Sequence, residues 1–354
     1  MIRLNLAVLW FLLPVIWGSC TKDIHTTSDG QWLFPIAKGT LSLTSLKELK
    51  NKTYNVEIPA MSIGQPIGVV VASPGLNISH VGPFPVEISP WLHRIDVDSL
   101  DISVNLQNFF PIPIGAGTQI SIRNTRDTSS NANVVTRVAI TKDVPPGSFF
   151  GFDVKANNTY FGDSVYFVLD SFVSPPYANV TFSSTPSTLT ATLKIIAASQ
   201  IQIYSNKTFS SIDTSEFSAG NQDNLGSGTN GVISDTSVSG FINVFLDNAL
   251  PANTSVQAYF LNDTKTQIID SLFPAALSIA GIHTDAAGSP LSVNSSAVKI
   301  NITRKRIENI KKAKYTVTKA YLNTNGYTTP WVTANKSASL TMQLTGDLNI
   351  KIKF

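Results

Sequence analysis

The chain has 354 residues, of which 43% are hydrophobic and only 14% charged, with a net charge of +3. That length can bury sizeable cores and fits two or three domains. The near-neutral, dispersed charge gives no basis for nucleic-acid binding, and a single cysteine excludes internal disulfides.

In chain order, the first element is the segment Met1 to Cys20. Arg3 precedes an apolar run from Leu4 to Trp17, and small Gly18 and Ser19 follow it. The run, about 14 residues, is shorter than the ~20 a membrane-crossing helix needs. With its basic start and small-residue end, it is expected to be a secretory signal peptide over residues 1–19. Trp17-Gly18-Ser19-Cys20 resembles the bacterial lipobox. The resemblance implies lipidation at Cys20, with residues 20–30 as the lipidated Cys and tether. The expected partner is then a membrane, reached through an N-terminal lipid anchor. Lys22-Asp23 is similar to the start of the charged tag that sends some Bacteroidota lipoproteins to the cell surface.

Residues 31–94 are read as a Trp/Pro-rich lead-in. Leu41 and Leu43 alternate like a strand. Ser45 and Glu48 have capping-box spacing for a short helix carrying Leu46 and Leu49. Pro83, Pro85 and Pro90 exclude helix and confine strands to edges. Trp32 is expected to dock on the first domain. Trp32, Pro35, Ile36, Ala37, Leu41, Leu43 and Leu46 resemble the opening of a group of uncharacterised, exported Bacteroidota lipoproteins. Asp270-Ser271-Leu272-Phe273, Ile279, Asp285, Gly288 and Leu322-Asn323-Thr324 are similar to the carboxy-terminal half of the same group. That resemblance implies an exported β-rich lipoprotein and brings no catalytic residues with it.

The main body carries an internal repeat. Ile102, Val104, Leu106, Asn108 and Pro111 match Ile242, Val244, Leu246, Asn248 and Pro251 without a gap, and Gln119–Ile122 parallels Gln257–Phe260. Apolar residues at every second position place one strand face inward, and the Asn and Pro end the strand. Further alternating runs occur at 134–140, 165–169, 189–195, 298–302, 315–317 and 340–344. The expected fold is all-β, with two tandem immunoglobulin-like β-sandwich domains and one or two short helices. Residues 95–212 form the first, 213–231 a Gly/Ser/Asn-rich linker, and 232–354 the second. Leu348, Ile350, Ile352 and Phe354 are expected to close the second sandwich. Their alternation also resembles the terminal strand of an integral outer-membrane β-barrel, the rival architecture.

Candidate chemistry is sparse. Asp96, Asp98 and Asp101 cluster without the turn glycine and closing Glu of a calcium loop. His283 and Asp285 could pair, yet no nucleophile elbow accompanies them. No catalytic, cofactor or metal residue is therefore assigned, and Cys20 is the one site residue. Arg304 to Lys314 reads as a basic helix behind Thr303, either a solvated face or a seat for anionic headgroups or acidic glycan. Asn-x-Ser/Thr sequons recur at Asn51, Asn77, Asn157, Asn179 and Asn206, as composition alone would produce. The expected function is a non-enzymatic, membrane-anchored module of the bacterial envelope that binds a glycan or an envelope protein or has a structural role. Its location would be the outer membrane, on the periplasmic or surface side. The alternative is a cryptic envelope hydrolase acting on polysaccharide through two distant carboxylates.

Overall fold

The computed structural model describes residues 27–216, 238–303, 305–306, 309 and 312–353. The signal segment, Cys20 and most of the tether lie outside the described residues. The alternating runs fold as strands. In chain order these are β1 (Thr27–Ser42), β2 (Asn51–Ile58), β3 (Val70–Ser73), β4 (Leu76–Glu87), β5 (Leu92–Gln107), β6 (Gln119–Arg123) and β7 (Val134–Ala139). Next come β8 (Phe149–Phe161), β9 (Ser164–Ser174), β10 (Tyr177–Thr181), β11 (Ser187–Tyr204), β12 (Thr208–Glu216), β13 (Val238–Asn248) and β14 (Asn253–Leu261). The last are β15 (Ile268–Ser271), β16 (Leu277–Ile279), β17 (Asn294–Ile302), β18 (Tyr315–Asn323), β19 (Trp331–Asn335) and β20 (Ser339–Lys353).

The larger sheets form two sets with one plan. In the first, β2-β11-β5-β8 accompanies β4-β9-β6-β7; in the second, β1-β20-β13-β17 accompanies β12-β18-β14-β15. Numbered along the chain within each set, both read 1-8-3-6 and 2-7-4-5, which is the strand order of a jelly roll. An immunoglobulin-like sandwich orders its strands ABED and CFG, so that expectation is corrected. Alternation decides which face a side chain takes, and carries no information about which strand lies alongside. Among the described residues every sheet is open, with two edges, so the integral-barrel alternative is also corrected.

The second set takes its first strand from far upstream. β1 runs antiparallel along β20, with Thr27 opposite Lys353 and Ser42 opposite Ser339. The whole first set is thus inserted between strands one and two of the second. Residues 31–94 do not stand apart as a lead-in: β1 belongs to the second set, while β2, β4 and the start of β5 belong to the first. In the backbone register Trp32 stands opposite Leu348, on a strand of the second set. Residues 213–216 of the expected linker are the end of β12, and the rest of it lies outside the described residues. Pro83 and Pro85 occupy β4, an edge strand, where a missing ladder donor is tolerated.

The repeat extends to its corner residues. Ile102, Val104 and Leu106 are buried, as are Val244 and Leu246, with Ile242 partly so. Burying each such side chain contributes ~1.5–3 kcal/mol. Asn108 and Asn248 are both fully buried. The Asn108 Nδ2 donates to the carbonyls of Ile112 and Val144, each at 2.8 Å, and Oδ1 accepts from the Phe110 amide at 2.9 Å. The Asn248 amide does the same toward Ala252 (3.0 Å), Ala280 (2.9 Å) and the Leu250 amide (3.0 Å). Each amide thus ties the end of its strand to the connection that follows it and to a second connection, at Val144 or Ala280.

The short helix α1 (Lys47–Lys50) buries Leu46 and Leu49 beside it, but the capping box does not form. Ser45 Oγ donates instead to the Ser42 carbonyl at 2.9 Å.

β20 lies between β1 and β13, so it is an interior strand. Deleting residues 345–353 removes the partners of Thr27–Pro35 and of Val238–Asn243. The expected result is loss of the second set with the first set still folded, read by limited proteolysis and calorimetry. A deletion variant that keeps every transition would contradict this role for β20.

Candidate functional site

The long strand β11, which also pairs with β5 along most of its length, runs on past β2 and pairs with β19, the strand that lies between β18 and β20 in the chain. Around Ile195–Gln200 the β11–β5 ladder is irregular, and there β11 exchanges its neighbour β2 for β19. Bulges of this kind bend a strand and re-aim its side chains. Beyond them, alternation is regular again. Ile95, Ile201, Ile203, Val332, Ala334 and Phe161 are buried on the core side. Their alternates form a face that remains partly open.

That face can be read row by row across four strands. Asp96 stands opposite Tyr160 of β8 and Gln200 of β11, and Gln200 stands opposite Asn335 of β19. In the next row Arg94, Gln202 and Thr333 are opposed, and beyond them Tyr204 stands opposite Trp331. His93 occupies the irregularity between Leu92 and Arg94. Its ring stacks on Trp331 at 4.1 Å between centroids and 18° between planes, and lies 5.0 Å from the Tyr204 ring. Arg94 lies over the Tyr160 ring at 4.0 Å and forms an ion pair with Asp96 at 2.7 Å. Trp91 stacks on Phe209 at 4.4 Å, and its carbonyl accepts from the Tyr204 amide at 3.0 Å.

The framework around this face is well tied. Buried Thr324 donates to the Tyr204 carbonyl at 2.9 Å and accepts from the Lys207 amide at 3.0 Å. Asn335 Nδ2 donates to the Ala287 carbonyl at 3.1 Å and the Ser289 hydroxyl at 2.9 Å, which holds the 285–289 loop beside β19. Gly288 has φ +78°, and a Cβ there would fall 2.8 Å from the β19 backbone, so only glycine allows this approach. The result is a cleft of about 460 Å³ between Asp96, Gln200 and Asn335 on the sheet and Ala287, Lys336 and Ser337 on the loops.

The electrostatics favour neutral rings beside one ion pair. Burial holds the His93 imidazole below its usual pKa; Asp163 opposes that shift and Arg94 adds to it. The buried His93 Nδ1 has no protein partner. Burial raises the Tyr204 hydroxyl, and Asp163 raises it further. Trp331, 38% exposed, therefore stands beside neutral His93 and Tyr204, with amide and charged groups in the adjacent rows.

The residues singled out from sequence fall in different places. Asp96 contributes to the cleft, Asp98 is exposed, and Asp101 stands between Lys155 and Lys194 in the ladder. Asp96, Asp98 and Asp101 therefore do not converge. Asp285 accepts from the Ser289 amide at 2.8 Å, while His283 meets the Tyr327 ring at 5.6 Å, so His283 and Asp285 do not form a pair. In the basic segment, Arg306 turns inward, donating to the carbonyls of Ser271 and Leu272 and approaching Asp270 at 3.5 Å. Sequence reasoning missed Trp91, His93, Tyr204 and Trp331, which lie far apart in the chain. The available signal was the period-two alternation of Gln200, Gln202 and Tyr204 against Ile201 and Ile203.

No family model matches the chain, and no curated protein matches it. Among solved structures, a candidate secreted protein from Parabacteroides distasonis is 12% identical, with a TM-score of 0.27, over 92% of this chain and 99% of that one. The infectious bursal disease virus Gx strain structure is 11% identical, with a TM-score of 0.19, over 91% and 80% of the two chains. The CBM22 tandem domain of Paenibacillus barcinonensis Xyn10C is 7% identical, with a TM-score of 0.18, over 88% and 96%. None of these likenesses is close enough to carry an argument about function.

Proposed function

We propose that this chain is a non-enzymatic binding module of the bacterial envelope, held to the outer membrane by lipid on Cys20. Its two sheet sets act as tandem sandwiches, and the outer face of β8-β5-β11-β19 binds a glycan. One observation carries the reading: Trp331, His93 and Tyr204 share a sheet face with Arg94, Asp96, Gln200 and Gln202. A sugar ring presents a flat C–H surface and a rim of hydroxyls. Aromatic side chains match the first, and amides with a guanidinium–carboxylate pair match the second. The core-side alternates keep the strands rigid, so little ordering cost falls on binding. Among the described residues, no helix is long and apolar enough to cross a membrane, and attachment in this reading rests on the lipid.

Titration calorimetry against a panel of soluble oligosaccharides tests the proposal. Trp331→Ala is expected to weaken binding at least about tenfold, the ~1.4 kcal/mol that loss of one aromatic contact gives. Arg94→Ala should weaken it further while leaving the melting profile intact. Equal affinity in wild type and Trp331→Ala would reject this face, and turnover of any oligosaccharide would favour the hydrolase instead.

A further inference from the structure

The ladder between β1 and β20 has two distinct ends. At one end, Ser42 and Ser339 adjoin the turn that leads from β19, and so the aromatic face. At the other, Thr27 stands opposite Lys353, and Leu348 stands opposite Gly240, whose other neighbour is Ile302. Tyr315 stands opposite Glu216 and Leu261 at that same end. The preceding 26 residues therefore join the fold where β17 passes to β18.

That end is basic. Lys305, Lys312 and Lys314 on the β17–β18 connection are exposed, as is Lys265 on the adjacent β14–β15 turn. The Lys314 amide donates to the Leu261 carbonyl at 2.9 Å, and the Lys265 ammonium lies 4.3 Å from the centre of the Tyr315 ring, which brings the two connections together. The backbone of Lys351 and Lys353 ends here too. Asp263 is an exposed acid on the same turn, and the backbone of Asp29 and Glu216 also reaches this end, so the lysines outnumber the acids here. Arg306, by contrast, is engaged internally, so among the described residues of this connection the solvent-facing cations are Lys305, Lys312 and Lys314.

We propose that this end of the second sheet set docks on an anionic phospholipid surface, an inference that rests on the anchoring at Cys20. Two observations select this occupant. Charge is complementary to acidic headgroups, each nearby lysine strengthening attachment severalfold. Cys20 also lies seven residues before Thr27, a reach of at most ~25 Å for extended chain, so a lipid there holds this end at the bilayer. The 16 residues of β1 then set the aromatic face about 50 Å from the membrane, at ~3.3 Å per residue.

The test uses the acylated mature protein on vesicles of phosphatidylcholine alone or with one quarter phosphatidylglycerol. Flotation with neutral vesicles reports the anchor; amide hydrogen exchange at residues 303–314 reports docking. Exchange there is expected to slow at least about tenfold on the anionic vesicles only. Combined Lys305→Glu, Lys312→Glu and Lys314→Glu should restore the neutral-vesicle rate, while the variant still floats. Equal exchange on both vesicle types, with flotation intact, would overturn docking and leave anchoring standing. Failure to float on neutral vesicles would overturn the anchoring, and with it this inference.

Discussion

Asn108→Ala is expected to destabilise the first sheet set by about 2–6 kcal/mol, because two buried backbone groups lose their partner at ~1–3 kcal/mol each. The Phe110 amide and the Ile112 carbonyl bond to this side chain, whereas the Val144 carbonyl also accepts from the Ile114 amide. Asn248→Ala should cost less. There Ala252 and Ala280 keep donors in Thr254 and Asn294, and the Leu250 amide is the group left without its bond. At roughly 2–4 °C per kcal/mol for units of this size, the two variants should melt visibly apart in calorimetry. Equal, small losses would show that the corner amides are not the ties described above.

Asp170→Ala should be comparably severe. Arg123 is 2% exposed and donates to Asp170 at 2.9 Å, to Ser121 at 3.1 Å and to the Ser130 carbonyl at 3.1 Å. Arg137 reaches the other Asp170 oxygen at 2.6 Å. Removing the carboxylate leaves a buried guanidinium without its counter-charge, a loss of ~3–5 kcal/mol. Replacing both partners, Arg123→Met with Asp170→Leu, should recover most of that, since paired burial of charge is no more stable than a packed apolar pair. The network also sets an acid limit. Burial pushes the Asp170 carboxyl up, but the bonds from Arg123, Ser121 and Arg137 outweigh it and hold its pKa below the ordinary value. A depressed carboxyl contributes stability above its unfolded pKa of ~3.9, and that contribution is lost as pH falls through the folded value. Wild type should therefore lose stability below about pH 4 more steeply than the apolar pair. Parallel acid melts of the two proteins would contradict this.

Strands and repeat were legible in the sequence because their signals are local. Ile102, Val104 and Leu106 alternate within one strand, and Asn108 with Pro111 marks its end. Strand order was not legible: nothing near Thr27 indicates a partner at Lys353, and the same alternation serves an immunoglobulin-like or a jelly-roll order. Arg123 gave no hint either, since an arginine at a strand end usually faces solvent. Its burial depends on Asp170, Ser121 and Ser130, brought together only by the sheet. The binding face was hidden for the same reason. Trp91 and His93 come from β5 and its approach, Tyr204 from β11 and Trp331 from β19. Asp96 was visible only as part of an acidic run, whose significance changes once Arg94 lies beside it at 2.7 Å.

The binding claim is tested most directly by hydrogen exchange on the wild-type protein, with and without a saturating oligosaccharide found by titration. Protection is predicted over Trp91–Asp96, Gln200–Tyr204 and Trp331–Asn335, the strand segments that carry the aromatic and polar rows. Protection confined to other segments would contradict the account and place the glycan elsewhere on the molecule.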